Sequence, residues 1–357
     1  MKRKIIDAHI HLTQWESEDG KSIFDSLRTY QNDNGITALD NMCCTSNGDL
    51  WAGYEGDQTI LGSVVKLENP SVFNHGCLFL PKGYRDYGEF SFINQVDEIM
   101  ELGSDGIKIC DFKPDAYKLL KVDKHLSEYE RLIDYCEKYG VYMCWHIADP
   151  EPFWHREMLP DIAVREGWYY GEGGYPAYEK LNKMTYSLLD AHPKLKVVLA
   201  HVFFKSCEPD EVINLFDKYP NVSLDLAPGW EMFAGFKKHH GKWSEIFRKY
   251  SDRFMFATDM PHPSDRKSLN NAALAVLRFL QTDEEFSVPD GFSTKGVKLP
   301  DNELDNILFR NHEKALGETP REINKRALKK YIERYLPLLP DTRNKQLTEE
   351  YYRKNLI

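Results

Sequence analysis

Short apolar runs that stop at a histidine or an aspartate recur along this chain, and they constrain its fold more than any other feature. Eight runs have the length of a strand: Ile5 to Ile10, Ala38 to Cys44, Gly76 to Leu80, Gly106 to Cys110, Val141 to His146, Leu195 to His201, Val222 to Leu226 and Phe254 to Ala257. Most are separated by segments whose apolar residues repeat every three or four positions, as parallel βαβ units require. Ile93, Val96, Ile99 and Met100 show that spacing over residues 92–102, and Tyr129, Leu132, Ile133 and Cys136 show it over 126–139, with Gly103 and Gly140 as stop signals. The runs start about 35 residues apart on average, close to one βα unit. Eight such units predict an α/β fold, a closed (β/α)8 or TIM barrel over residues 1–300. Residues 301–357 are polar and amphipathic, and are expected to form extra C-terminal helices packed on the barrel or against another subunit of a homo-oligomer.

Composition narrows the function. The formal charge of −10 and pI near 5.7 oppose a general attraction to nucleic acid or to acidic membranes, so a small-molecule partner is expected. The start of the chain reaches Asp7 too soon for the apolar core of a signal peptide, and no run of about 18 apolar residues occurs. Seven cysteines with no CxxC spacing argue against a disulfide framework or a thiolate zinc knuckle, and suggest reduced thiols in a cytoplasmic protein. A segment rich in aromatic residues, glycine and proline, 149–176, follows the fifth run and reads as an ordered loop insertion over a pocket.

The candidate chemistry lies at the ends of the runs. His9-Ile10-His11 alone is weak evidence, since chance gives about 0.4 such pairs in a chain with this histidine content. Side chains two apart on a strand point to the same side, however, so both imidazoles can face the barrel axis. His146 and His201 end two further runs, and Asp259 follows another. In a barrel the C-terminal strand ends are where catalytic groups collect. Packing would account for any one of these residues, but not readily for all of them together. Imidazoles with a carboxylate suit one divalent transition metal with a position left for water.

From Ile6-Asp7-Ala8-His9-Ile10-His11 through His146-Ile147-Ala148-Asp149-Pro150, Leu199-Ala200-His201 and Ala257-Thr258-Asp259 to Asn311-His312, the chain resembles the amidohydrolase superfamily. The resemblance is to its amidohydrolase-related branch, which includes hydrolases and the aminocarboxymuconate-semialdehyde decarboxylase type. It implies His9, His11, His146 and Asp259 as ligands of one catalytic metal, with His201 a catalytic histidine beside it and Asp259 sharing in proton transfer. Zinc is the expected ion and manganese the alternative.

Lys108 on the fourth run leaves two arrangements open. In binuclear members of the superfamily a carbamylated lysine bridges two ions; in mononuclear ones it stays cationic and meets a substrate anion, the arrangement favoured here. Asp149, Arg165, Trp230 and His262 are further candidates for substrate contact, with structural ion pairs or packing as the plain alternatives. The remaining histidines lack a comparable position and are read as non-catalytic. The leading expectation is hydrolysis of a small carboxylate-bearing ester, lactone or amide by metal-activated water. Non-oxidative decarboxylation at the same site is the alternative, and a non-catalytic metal-binding barrel is a third reading.

Overall fold

The computed structural model describes residues 3–17, 20–45, 57–80, 91–261 and 266–357. Eight parallel strands run around a barrel: β1 (Ile6–His11), β2 (Ala38–Met42), β3 (Val72–Gly76), β4 (Gly106–Phe112), β5 (Met143–Ile147), β6 (Val197–Leu199), β7 (Val222–Asp225) and β8 (Phe254–Met255). Each pairs with its neighbour in chain order, so sequence order and spatial order coincide. The chain beyond β8 closes the ring against β1. The Ala8 N–H donates to the Phe256 carbonyl at 2.9 Å, the Asp259 N–H donates to the His9 carbonyl at 3.0 Å, and β9 (Met260–Pro261) then pairs with β1. The fold is therefore a (β/α)8 barrel followed by C-terminal helices.

Helices connect the strands where the apolar spacing predicts them, including Phe92–Glu101 and Val122–Tyr139. The second has non-helical backbone at His125, so its regular part begins at Leu126. It ends at Gly140, whose left-handed φ of 67° only glycine adopts without strain. Ser22 and Asp57 cap the helices Ile23–Asn34 and Gln58–Glu68 by accepting backbone N–H groups. Gly62 lets the latter approach β3: a Cβ there would come within 2.0 Å of Asn74 Oδ1. No helix among the described residues is long and apolar enough to cross a membrane.

The third strand differs from the expectation of Gly76 to Leu80 and lies at Val72–Gly76. Its Asn74 and His75 are wholly buried and paired with Asn41 and Asp40 of β2, at 2.7 and 2.9 Å. These interior polar pairs interrupt the apolar pattern, while the more apolar Cys77 to Leu80 is a buried connection after the strand.

C-terminal segments cover the foot of the barrel. Phe309 and Leu316 pack on Ile6, Ala38 and Phe73 near the strand starts. His312 reaches inward to Asp40 at 2.9 Å, so one buried carboxylate joins β2, β3 and the C-terminal helix Asn311–Leu316. Helix Lys325–Tyr335 lies against helices Gln58–Glu68 and Phe92–Glu101.

Candidate metal centre

At the opposite end the strands deliver polar side chains into a cavity of about 570 Å³. His9 and His11 both point inward from β1, as a two-residue spacing on a strand requires. Their Nε2 atoms are 3.2 Å apart. Asp259 Oδ1 lies 3.1 Å from His11 Nε2 and 3.6 Å from His9 Nε2. His201 Nε2 is 3.1 Å from His146 Nδ1, and His9, His201 and Asp259 offer ligand atoms all within 4.8 Å of one another.

Hydrogen bonds on the outer side of each ring determine what it presents inward. A carbonyl or ionised carboxylate can only accept, so the ring nitrogen facing it carries the proton. His9 Nδ1 donates to Asp225 Oδ2 at 2.8 Å, and His11 Nδ1 donates to the Met42 carbonyl at 2.6 Å. His146 Nε2 donates to the Ala148 carbonyl at 3.1 Å, and His201 Nδ1 donates to the Ala227 carbonyl at 3.0 Å. The inward nitrogens of His9, His146 and His201 are thus lone-pair donors, while His11 Nε2 also faces Asp259 Oδ1 at 3.1 Å. His146 faces His201 across about one hydrogen-bond length with no proton to share. That pair repels itself until a cation or a proton enters, whereas His9 Nε2 already accepts from Lys108 Nζ at 3.2 Å. Two donors about 2.1 Å from one ion lie roughly 2.9–3.4 Å apart, which matches the His9–His11 and His11–Asp259 spacings, with His9–Asp259 wider at 3.6 Å. The donor set fits a divalent metal.

Electrostatics favour the same protonation states. Burial pushes the imidazolium forms of His9 and His146 down, and lowers His201 to about 4. Asp259 is held well below the usual carboxylate range: burial opposes its charge, but His201, His11 and His9 outweigh it. Lys108 is buried at the floor, with Nζ 3.2 Å from both His9 Nε2 and Cys144 Sγ. A second cluster of ligand types, His9, Cys144 and Asp225, is already occupied by these hydrogen bonds.

The backbone is strained where these residues sit. His201, Val202, Phe203 and Phe204 form a run of left-handed residues with φ between 53° and 58°; Ala148 and Asp259 also have positive φ, at 62° and 52°. Strain of this kind persists only where the surroundings over-determine it, and it clusters at functional sites.

The other sequence candidates divide. Asp149 and Trp230 line the cavity. Asp149 is buried beneath Lys113, with which it forms an ion pair, and accepts from Tyr170 OH at 2.6 Å; despite its burial, Lys113 and His146 lower its pKa to about 2. Arg165 is exposed outside the cavity, paired with Glu166 and Asp290 at 3.3 Å. His262 lies outside the described residues. The 149–176 insertion supplies Phe153 and Trp168 to the cavity wall and packs Phe153, Ala163 and Tyr170 together.

Two participants escape a reading of the sequence. Lys113 lines the cavity, but Asp111-Phe112-Lys113-Pro114 looks like the start of a loop. Asp225 ends β7 and links His9 to His201, because its Oδ1 accepts the His201 N–H at 2.8 Å and the Ala227 N–H at 3.2 Å. Its signal in the sequence is a lone acid inside the run Val222 to Leu226.

A closed parallel barrel with imidazole and carboxylate donors gathered at its C-terminal mouth defines a class, the metal-dependent TIM-barrel enzymes. The amidohydrolase family model matches residues 94–317, and the chain belongs to the amidohydrolase family. No protein of curated function matches the sequence. Among solved structures, an uncharacterised TIM-barrel protein, Bb4693 from Bordetella bronchiseptica, is similar at 15% identity and a TM-score of 0.50, over 88% of this chain and 98% of that one. An apo IDCase from Metarhizium anisopliae matches at 14% identity and a TM-score of 0.47, over 83% and 81%. An amidohydrolase from Mycoplasma synoviae matches at 11% identity and a TM-score of 0.41, over 99% and 95%. At these identities the first likeness speaks for the fold alone.

Proposed function

We propose that this chain is a hydrolase of a small carboxylate-bearing ester, lactone or amide, acting with one divalent metal, zinc before manganese. The observation that carries this reading is the set of ring nitrogens facing the mouth, each with its other nitrogen tied to an acceptor. Such outer hydrogen bonds hold metal-binding histidines in the required tautomer. His9 and His11 through Nε2, His146 through Nδ1, and Asp259 through its carboxylate would hold the ion. When bound, it acidifies water and polarises a substrate oxygen.

The chain's own groups do the rest. His201 is neutral at pH 7 and can take a proton through Nε2 and return it to a leaving group, with Asp259 sharing that duty. Lys108 can turn from His9 toward a substrate anion, and Phe153, Trp168 and Trp230 supply apolar wall that excludes water.

A second reading has one observation in its favour. His146 Nδ1 and His201 Nε2 form a separate pair of facing lone pairs, as two ligands of a second ion would, and carbamylated Lys108 would then bridge the two. Elemental analysis of the purified protein is expected to find about one equivalent of a first-row metal. Two equivalents with a modified Lys108 would establish the second reading instead. A panel of lactones, esters and amides, assayed beside carbon dioxide release from unsaturated and aromatic acids, tests the reaction. Decarboxylation without hydrolysis would overturn the proposal in favour of a decarboxylase.

A further inference from the structure

The cavity wall carries two thiols that the proposed hydrolysis does not use. Cys44 lies two residues beyond β2 and Cys110 lies on β4, with β3 between them, so the curvature of the barrel brings them together. Their Sγ atoms are 2.9 Å apart, and both residues line the cavity. A disulfide has an S–S length of about 2.05 Å, so bond formation needs the two sulfurs to approach by less than about 1 Å. The two differ in access: Cys44 is partly exposed, whereas Cys110 is buried behind it. Cys43 and Cys77 make an internal comparison, since they also share a thiol contact but are buried and do not line the cavity.

We propose that Cys44 and Cys110 form a reversible oxidation site for hydrogen peroxide, Cys44 reacting first and Cys110 resolving the product. The Cys44 sulfur attacks one peroxide oxygen; the S–O bond forms, the O–O bond breaks, and the departing oxygen leaves as water with the thiol proton. The sulfur is oxidised to sulfenic acid and the peroxide is reduced. Cys110 sulfur then attacks the Cys44 sulfur; the S–S bond forms, the S–O bond breaks, and the oxygen departs as a second water with the Cys110 proton. Two thiols and one peroxide become one disulfide and two waters. The rapid closure that a 2.9 Å separation allows protects Cys44 from irreversible oxidation to sulfinic acid. Cys44 Sγ also lies 3.7 Å from His11 Nδ1, so the bridge forms directly behind a residue of the candidate metal centre. The thiol chemistry itself stands whether or not His11 holds an ion.

The test uses the full chain as purified, in a Cys207→Ser background that removes the exposed thiol. After peroxide treatment and alkylation, non-reducing peptide mapping is expected to show one Cys44–Cys110 linked peptide, with Cys43 and Cys77 alkylated. Two of the six remaining thiols should be lost and recovered with dithiothreitol. Adding Cys110→Ser should divert Cys44 to a sulfinic acid, about 32 Da heavier, that dithiothreitol does not reverse. Both cysteines staying free after peroxide would overturn the proposal, as would a link from Cys44 to a different cysteine. So would a Cys110→Ser chain in which Cys44 resists overoxidation as well as before. The mapping requires no substitution in the barrel core, so its outcome decides the matter even if the Cys110→Ser chain fails to fold.

Discussion

Replacing Asp225 by asparagine changes one atom pair in the core of the site, and the structure says which way the proton must move. Oδ1 accepts two backbone N–H groups, from His201 and Ala227, while Oδ2 accepts the Nδ1 proton of His9. The new amide has one oxygen and one NH2 group. Turning the NH2 toward the backbone would bury two N–H groups without an acceptor, at about 1–3 kcal/mol each. The oxygen therefore stays with the backbone, and the NH2 faces His9 Nδ1. His9 can accept that hydrogen bond only by moving its own proton to Nε2, which removes the inward lone pair. Loss of such an outer partner typically lowers metal affinity 10–100-fold, about 1.4–2.7 kcal/mol. Asp225→Asn should weaken binding by at least that much, because the donor changes its tautomer as well as losing its support. Competition against a chromophoric chelator gives the dissociation constant, and nitrogen NMR of the histidine rings in metal-free protein reports the tautomer. A folded variant with unchanged affinity and an Nδ1-protonated His9 would refute the reasoning.

His201→Asn should keep most of the metal while lowering turnover on the order of 10²- to 10⁴-fold, since an amide cannot cycle a proton near neutral pH; metal lost in parallel with activity would make His201 a ligand instead. In metal-free protein the histidines make stability depend on pH. Burial lowers His201 from 6.5 to about 4, so the unfolded chain takes up a proton that the folded one refuses, and stability is complete above pH 6.5 and falls toward pH 4. This group alone amounts to on the order of 3 kcal/mol, with His9 and His146 shifted the same way; urea denaturation of metal-free protein from pH 7.5 to 4.5 with no decline in stability would contradict it. His312→Ala should cost about 1–3 kcal/mol by leaving the buried Asp40 Oδ2 without its partner, with metal content unchanged because the contact lies at the other end of the barrel. Equal stability by chemical denaturation would show that this contact does not hold the foot together.

The histidines are legible because each closes an apolar run, and a barrel turns that one-dimensional position into convergence at a single mouth. Asp225 lies inside the run Val222 to Leu226 that predicts the seventh strand, but nothing in that run tells that it serves the site. It is buried because two backbone N–H groups and His9 replace its water, a compensation visible only in three dimensions. β3 begins four residues before the apolar run that predicts it, for a related reason: Asn74 and His75 look like surface residues, yet they pair with Asn41 and Asp40 inside the barrel. The Cys44–Cys110 contact spans two strand positions and 66 residues of sequence, a proximity that no local pattern encodes.

The left-handed run from His201 to Phe204 sets backbone strain against packing. Outside glycine such backbone costs roughly 1–2 kcal/mol per residue, and a β-branched side chain such as Val202 is among the least suited to it. Glycine at 202 would relax the strain, but it would also remove a fully buried side chain of the core. Losing that burial costs about 1.5–3 kcal/mol, and the cavity and the extra chain entropy of glycine add to it, so the strain is the smaller quantity and valine is the more stable choice. Position 202 therefore holds an unfavourable turn of chain in place by packing alone, and the turn is only as durable as the wall around it.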